Sequence, residues 1–76
     1  IEAVLAGDDL VIYPNPVNDI LNINQNVDLY VFDYLGRTIA SKNNVNAIEA
    51  SLWAPGVYTV CIAYKGRTVI RRIIKQ

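Results

Sequence analysis

Residues 50–76, ASLWAPGVYTVCIAYKGRTVIRRIIKQ, contain the longest uninterrupted strand pattern in the chain. Within this stretch, Gly56–Tyr64 begins at a Pro55-Gly56 corner and ends at Lys65-Gly66, and a second apolar run then continues to the last residue. Two residues between two strand-like runs, the second of them glycine, indicate a tight β-hairpin, because primed turns require positive φ. We therefore expect the final hairpin to be the centre of the fold.

The first strand of this hairpin alternates between two sets of side chains. Period two places Tyr58, Val60, Ile62 and Tyr64 on one face, and Val57, Thr59, Cys61 and Ala63 on the other. We expect the first set to face the core because it contains the larger side chains. Cys61 then lies on the outer face as a small residue that fills space in the strand.

The orientation of the last strand stays open at this point. Either Val69, Arg71 and Ile73 face the core or Ile70, Arg72 and Ile74 do, and each set contains an arginine. The arginine pair then lies at a bulge or where the strand emerges from cover. The alternative is a basic recognition patch that includes Arg67 and Lys75.

The composition indicates one small domain with an apolar core and no net charge. The chain has 76 residues, 53% of them hydrophobic, and seven basic side chains balance seven acidic ones. A balanced charge gives no field that would attract nucleic acid or an anionic membrane. Because histidine is absent and Cys61 is the single cysteine, internal disulfides, cysteine-held metals and histidine-based triads are excluded.

The rest of the chain divides into short strand-like runs separated by turn residues. The predicted strands are 10–13, 20–24, 27–33, 38–42 and 46–52, with Ile48, Ala50 and Leu52 on one face and Asn43-Asn44 as a loop. Pro14 and Pro16 remove backbone donors and interrupt pairing, and Gly36 supplies the positive φ of a bulged turn. With the final hairpin this makes about seven strands and predicts an all-β, immunoglobulin-like antiparallel sandwich.

The domain boundaries follow from the same pattern. Residues 1–9 lack alternation and are predicted to be a linker or lead-in tail, whereas residues 10–76 form the domain. The chain starts abruptly at Ile1 without a secretory signal, and we expect a fragment of a longer precursor that keeps the natural C-terminus.

The chain contains a recognisable corner motif but no recognisable catalytic group. The segment from Leu52 to Tyr58 is typical of the tyrosine corner of immunoglobulin-like sandwiches, in which the hydroxyl bonds to upstream backbone. No carboxylate pair, activated serine or phosphate-binding glycine loop is present. We therefore expect a domain that is not an enzyme.

Four landmarks in order carry a family resemblance. They are Val11-Ile12-Tyr13-Pro14-Asn15-Pro16-Val17, then Leu29-Tyr30-Val31-Phe32-Asp33-Tyr34-Leu35-Gly36-Arg37, then Leu52 with Gly56-Val57-Tyr58-Thr59-Val60, and the closing Ile73-Ile74-Lys75-Gln76. Together they resemble the type A (Por) C-terminal sorting domain of the type IX secretion system of Bacteroidota. Two features depart from its pattern: Arg71-Arg72 stands where the family often has lysines, and Cys61 is not a family position.

The resemblance implies a secretion signal that directs an N-terminal cargo domain through the outer-membrane translocon. The implied partners are the translocon with its shuttle components and a surface sortase, which removes the domain and anchors the cargo to anionic lipopolysaccharide. The cargo passes through the periplasm to the outer membrane surface or the medium. No cofactor, metal or nucleic acid is implied, and homodimer formation is left open.

The same resemblance assigns residues to two groups. The family motif maps onto Pro14, Pro16, Asp33, Gly36, Gly56 and Tyr58. Recognition is expected along the final hairpin, at Arg71, Arg72, Ile73, Ile74 and Lys75. The alternative function is an adhesion or carbohydrate- or protein-binding module of a cell-surface protein, for which Trp53 is the one candidate contact.

Overall fold

The computed structural model describes residues 10–76, which form one five-stranded antiparallel sheet without a helix. The strands are β1 (Ile12–Tyr13), β2 (Ile20–Phe32), β3 (Thr38–Glu49), β4 (Gly56–Tyr64) and β5 (Arg67–Lys75). The all-β antiparallel class predicted from the sequence is confirmed. The predicted linker at residues 1–9 lies outside the described residues.

The number of strands differs from the prediction, because two expected breaks do not end a strand. The runs predicted at 20–24 and 27–33 join as β2, and those at 38–42 and 46–52 join largely as β3. The register between β2 and β3 shifts between Asn22 and Val27. A bulge accommodates such a shift and bends a strand without ending it. The described residues therefore form one curled sheet and not a seven-stranded sandwich.

The predicted loop at Asn43-Asn44 is an irregularity inside β3. Asn44 has a φ of 54°, a left-handed conformation that asparagine tolerates. Its backbone N–H donates to Oδ1 of Asp28 at 2.8 Å, and Nδ2 of Asn26 donates to its Oδ1 at 3.4 Å. Side chains of β2 thus replace part of the backbone ladder, so the pairing continues past this point.

The long strand β2 organises the sheet. β3 pairs with one edge of β2 over almost the whole length of β2. β1 and β4 share the opposite edge, where β1 pairs near the start of β2 and β4 pairs near its end. β5 continues the sheet beyond β4. The chain just after β1 returns to the far edge of β5, where Val17 forms a parallel bridge with Lys75. This contact partly closes the sheet around the core.

The core fills the concave side of the curled sheet. The fully buried large side chains are Leu21, Leu29, Ile62, Ile73, Val17, Val31 and Val60. The predicted inward set of β4 is confirmed, because Tyr58, Val60, Ile62 and Tyr64 are all buried. The prediction for Leu52 is wrong, since its side chain is 94% exposed. The N–H of Trp53 bonds to the carbonyl of Ala50 at 3.1 Å, and this turn ends the alternation before Leu52.

Candidate recognition surface

The final strand, β5, is held along both of its edges. On one edge it pairs with β4 from Gly56↔Lys75 to Tyr64↔Arg67. The turn between them has positive φ at both Lys65 (50°) and Gly66 (73°), which confirms the predicted primed hairpin turn. The last strand is therefore an integral part of the sheet.

The opposite edge of β5 is held by the segment that contains Pro14, Asn15 and Pro16. Val17 donates its N–H to the carbonyl of Ile74 at 2.8 Å and accepts from the N–H of Gln76 at 3.0 Å. The Tyr13-Pro14 and Asn15-Pro16 peptide bonds are both cis. Because each proline lacks a backbone donor, β1 ends here, as predicted. The chain that follows lies against the C-terminal half of β5.

Asn15 makes the most specific contact in this segment. Its Oδ1 accepts from the N–H of Ile74 at 2.9 Å, and its Nδ2 donates to the carbonyl of Arg72 at 3.2 Å. One side-chain amide thus pairs with the backbone of β5 as a neighbouring strand would. The flanking prolines are evident in the sequence, whereas this role of Asn15 depends on the distant strand β5 and has no signal in the neighbouring residues.

The five residues expected to carry recognition do not lie on one face. Ile73 is buried and Lys75 is only 8% exposed, whereas Arg72 and Ile74 point outward. Arg71 is half-buried on the core side, which settles the orientation left open by the sequence. Nζ of Lys75 donates to the carbonyl of Gln76 at 2.9 Å. A single basic patch that joins Arg71, Arg72 and Lys75 is therefore absent from the outer face of β5.

The turn between β2 and β3 is organised by Asp33. Its Oδ1 accepts from the N–H groups of Leu35 and Arg37 at 2.9 and 3.0 Å, and its Oδ2 accepts from Nε of Arg37 at 2.8 Å. Desolvation by burial raises the pKa of Asp33, but these hydrogen bonds and the charge of Arg37 together hold the pKa below its ordinary value of 3.8. Gly36 has a φ of 84°, which confirms the predicted left-handed turn position.

The tyrosine corner predicted at the start of β4 is present. The hydroxyl of the buried Tyr58 donates to the carbonyl of Ala54 at 2.5 Å. The ring of Trp53 packs against it, with ring centroids 5.0 Å apart and an interplanar angle of 41°. Trp53 is half-buried against the core, so it serves the corner and does not form an exposed platform for a carbohydrate ring.

A shallow groove of about 420 Å³ lies on the outer face of the sheet. Its floor contains Phe32, Thr59 and Arg72, which are direct partners across β2, β4 and β5. Val57 and Tyr34 extend its apolar lining, and the Asp33–Gly36 turn forms one wall. Of these residues, Asp33, Gly36 and Arg72 are each predicted from the sequence, in separate motifs. Alternation along β4 places Val57 and Thr59 on its outer face. The groove cannot be predicted from this alone, because its other residues come from neighbouring strands whose order the sequence does not give.

Neither a metal-binding cluster nor a membrane-spanning helix is found between residues 10 and 76. No group of three or more histidine, cysteine, aspartate or glutamate side chains comes together there. The same residues include no helix long and apolar enough to cross a membrane. Cys61 is a free, half-buried thiol.

A protein-family model matches most of the chain. The model of the family described as "Secretion system C-terminal sorting domain" matches residues 11–76, which is the whole of the described structure except Leu10. A search of curated proteins finds no significant relative. The matched region includes the proline segment, the Asp33–Gly36 turn, the tyrosine corner and the last strand.

Proposed function

Because the chain belongs to the family of secretion system C-terminal sorting domains, we propose that the type IX translocon and its shuttle components recognise this domain in its folded form. The domain carries an N-terminal cargo from the periplasm across the outer membrane. A surface sortase then cleaves the domain off and joins the cargo to anionic lipopolysaccharide. The domain itself is a signal without catalytic activity.

The observation that carries this proposal is the position of β5 inside the fold. A signal read as an unfolded tail would leave its backbone groups unpaired, whereas β5 is bonded to β4 on one edge and to Asn15 and Val17 on the other. Its inward side chain Ile73 is 1% exposed. The outward side chains Ile70, Arg72 and Ile74 are consequently displayed in a fixed spacing, as a folded recognition element requires.

An export assay tests the proposal. A reporter protein with an ordinary signal peptide is fused to the N-terminus of this domain and expressed in a bacterium that has the type IX system. We expect the fusion to reach the surface, where added protease digests it, and to remain in the periplasm when the translocon is deleted. A reporter that is displayed without the domain, or without the translocon, contradicts the proposal.

Two substitutions on β5 test whether export requires the folded domain or is changed merely by an added negative charge. Ile73→Asp puts a carboxylate into the core, where an unpaired charge is strongly destabilising, and should leave the reporter in the periplasm. Thr68→Asp adds the same charge at an exposed position of the same strand and should be exported normally. Equal export of both variants would show that the translocation machinery does not require the domain to be folded.

A further inference from the structure

The groove on the outer face of the sheet combines an unpaired cation with apolar side chains. Arg72 is outward-facing, and within residues 10–76 its guanidinium has no hydrogen-bond or ion-pair partner. Around it lie the half-buried Phe32, Val57, which is 46% exposed, and Tyr34, which is 81% exposed. Exposed apolar side chains gathered in one concavity are typical of a binding site.

The neighbouring charges leave Arg72 as the available cation of the groove. The one carboxylate in the lining, that of Asp33, is engaged by Arg37 and by two backbone N–H groups. It is thus neutralised by its own turn and does not bind across the groove to Arg72. Arg37 is likewise occupied by Asp33. The groove therefore presents one positive charge beside an apolar surface.

We propose that this groove binds a protein segment in which a carboxylate side chain stands next to an aromatic or aliphatic residue. A planar guanidinium pairs with a carboxylate through two parallel N–H···O bonds, and the apolar neighbour covers Phe32, Tyr34 and Val57. Thr59 offers a hydroxyl between the two parts. This inference rests on the proposed function, and it places the segment on a component of the translocation machinery that selects the folded domain.

The charge of the groove favours a protein carboxylate as its ligand over the phosphates of a lipid surface. Binding to an anionic lipid surface generally uses clusters of four or more lysines or arginines, whereas the groove contains a single free cation among mostly apolar side chains. A carboxylate with one apolar neighbour matches both the charge and the size of this lining.

A titration with short peptides tests the chemistry of the groove. The full 76-residue chain is labelled with ¹⁵N and titrated with acetyl-Phe-Glu-Leu-amide, with its glutamine analogue and with its phosphoserine analogue. We expect the glutamate peptide to shift the resonances of Phe32, Val57, Thr59 and the Arg72 side chain, and the glutamine peptide to bind about two- to fivefold more weakly, as for one exposed charge pair. Preferential binding of the phosphoserine peptide, or shifts confined to other parts of the sheet, would overturn the proposal.

A charge exchange excludes a merely structural role of Arg72. Arg72→Glu should lose the glutamate peptide and gain acetyl-Phe-Lys-Leu-amide, a reversal that altered stability cannot produce. Arg67→Gln, which removes a cation from the hairpin end of the same strand outside the groove, should bind the glutamate peptide like the wild type. Loss of binding in both variants, or no preference for the lysine peptide in Arg72→Glu, would contradict the assignment.

The export assay then connects the groove to recognition. In the fusion described above, Arg72→Glu should reduce surface display of the reporter several-fold while Arg67→Gln does not, and the Tm of each variant is measured alongside to separate lost recognition from lost stability. If the wild-type fusion is exported and Arg72→Glu is exported equally well, the groove has no part in selection and this inference alone fails. If the wild-type fusion is not exported, the proposed function fails, whatever the peptides show.

Discussion

Asn15→Ala tests whether the proline segment holds the final strand. The substitution removes the two hydrogen bonds that the Asn15 amide makes with the backbone of β5, at Ile74 N–H and at the Arg72 carbonyl. Each intramolecular bond contributes about 0.5–1.5 kcal/mol net. Because these bonds are exposed and water replaces them in part, we expect a loss of about 1.5 kcal/mol for the pair. In a domain of this size that lowers the Tm by roughly 6–12 °C.

The matched control for this prediction is Asn18→Ala, three residues further along the same segment. The side chain of Asn18 is exposed and makes no hydrogen bond within residues 10–76, so its removal should change stability by less than about 0.5 kcal/mol. Thermal and urea unfolding of the three proteins, followed by circular dichroism, give the comparison. Equal stability of Asn15→Ala and wild type, or an equal loss in both variants, would refute the assigned role of the segment.

Three further substitutions test the corner, the turn and the core. Tyr58→Phe removes the hydroxyl bond to Ala54 and should cost about 1–2 kcal/mol, seen as a lower Tm; an unchanged Tm would mean that the corner does not stabilise the fold. Asp33→Asn should lower the Tm at pH 7. Because the folded-state pKa of Asp33 is depressed, its stabilisation is present above the ordinary carboxyl pKa and is lost as the pH falls through the folded value. The Tm difference from the wild type should therefore shrink as the pH is lowered below about 4; a difference independent of pH would contradict this. Ile73→Ala should destabilise by about 2–5 kcal/mol, while Ile74→Ala on the outer face should cost under about 1 kcal/mol by the same urea unfolding; comparable losses would reverse the assigned faces of β5.

Features that depend on neighbouring residues could be predicted from the sequence. The hairpin turn at Lys65-Gly66, the inward set of β4 and the bond of Tyr58 to upstream backbone each follow from the alternation or from the φ requirements of a few consecutive residues. The family resemblance also came from short motifs in order, and the family match over residues 11–76 confirms it.

Features that depend on pairing between distant residues could not be predicted. The sequence predicts breaks between residues 24 and 27 and at Asn43-Asn44, but Asp28 and Asn44 bond across the sheet and keep β3 continuous. Alternation alone also gave two equal orientations for β5, because each set contained one arginine. The register with β4 decides between them, because Val69, Arg71 and Ile73 lie directly opposite the buried side chains of Ile62, Val60 and Tyr58. For the same reason the groove at Arg72 could be recognised only after strand order was known.

The central claim is that this domain is a signal that is removed from its cargo. Mass spectrometry tests it on the domain that is released into the medium by cells exporting the reporter fusion. A sortase needs extended backbone that is free to enter its active site. From Leu10 onward the chain is packed and hydrogen-bonded in the domain. Leu10 is buried, and Val11 exchanges hydrogen bonds with Asn24 at 2.8 and 3.1 Å. We predict a released domain whose N-terminus is at or before Leu10, with the mature reporter lacking the domain. A reporter that keeps the domain on the cell surface, or a released N-terminus at Val17 or later, would contradict this function.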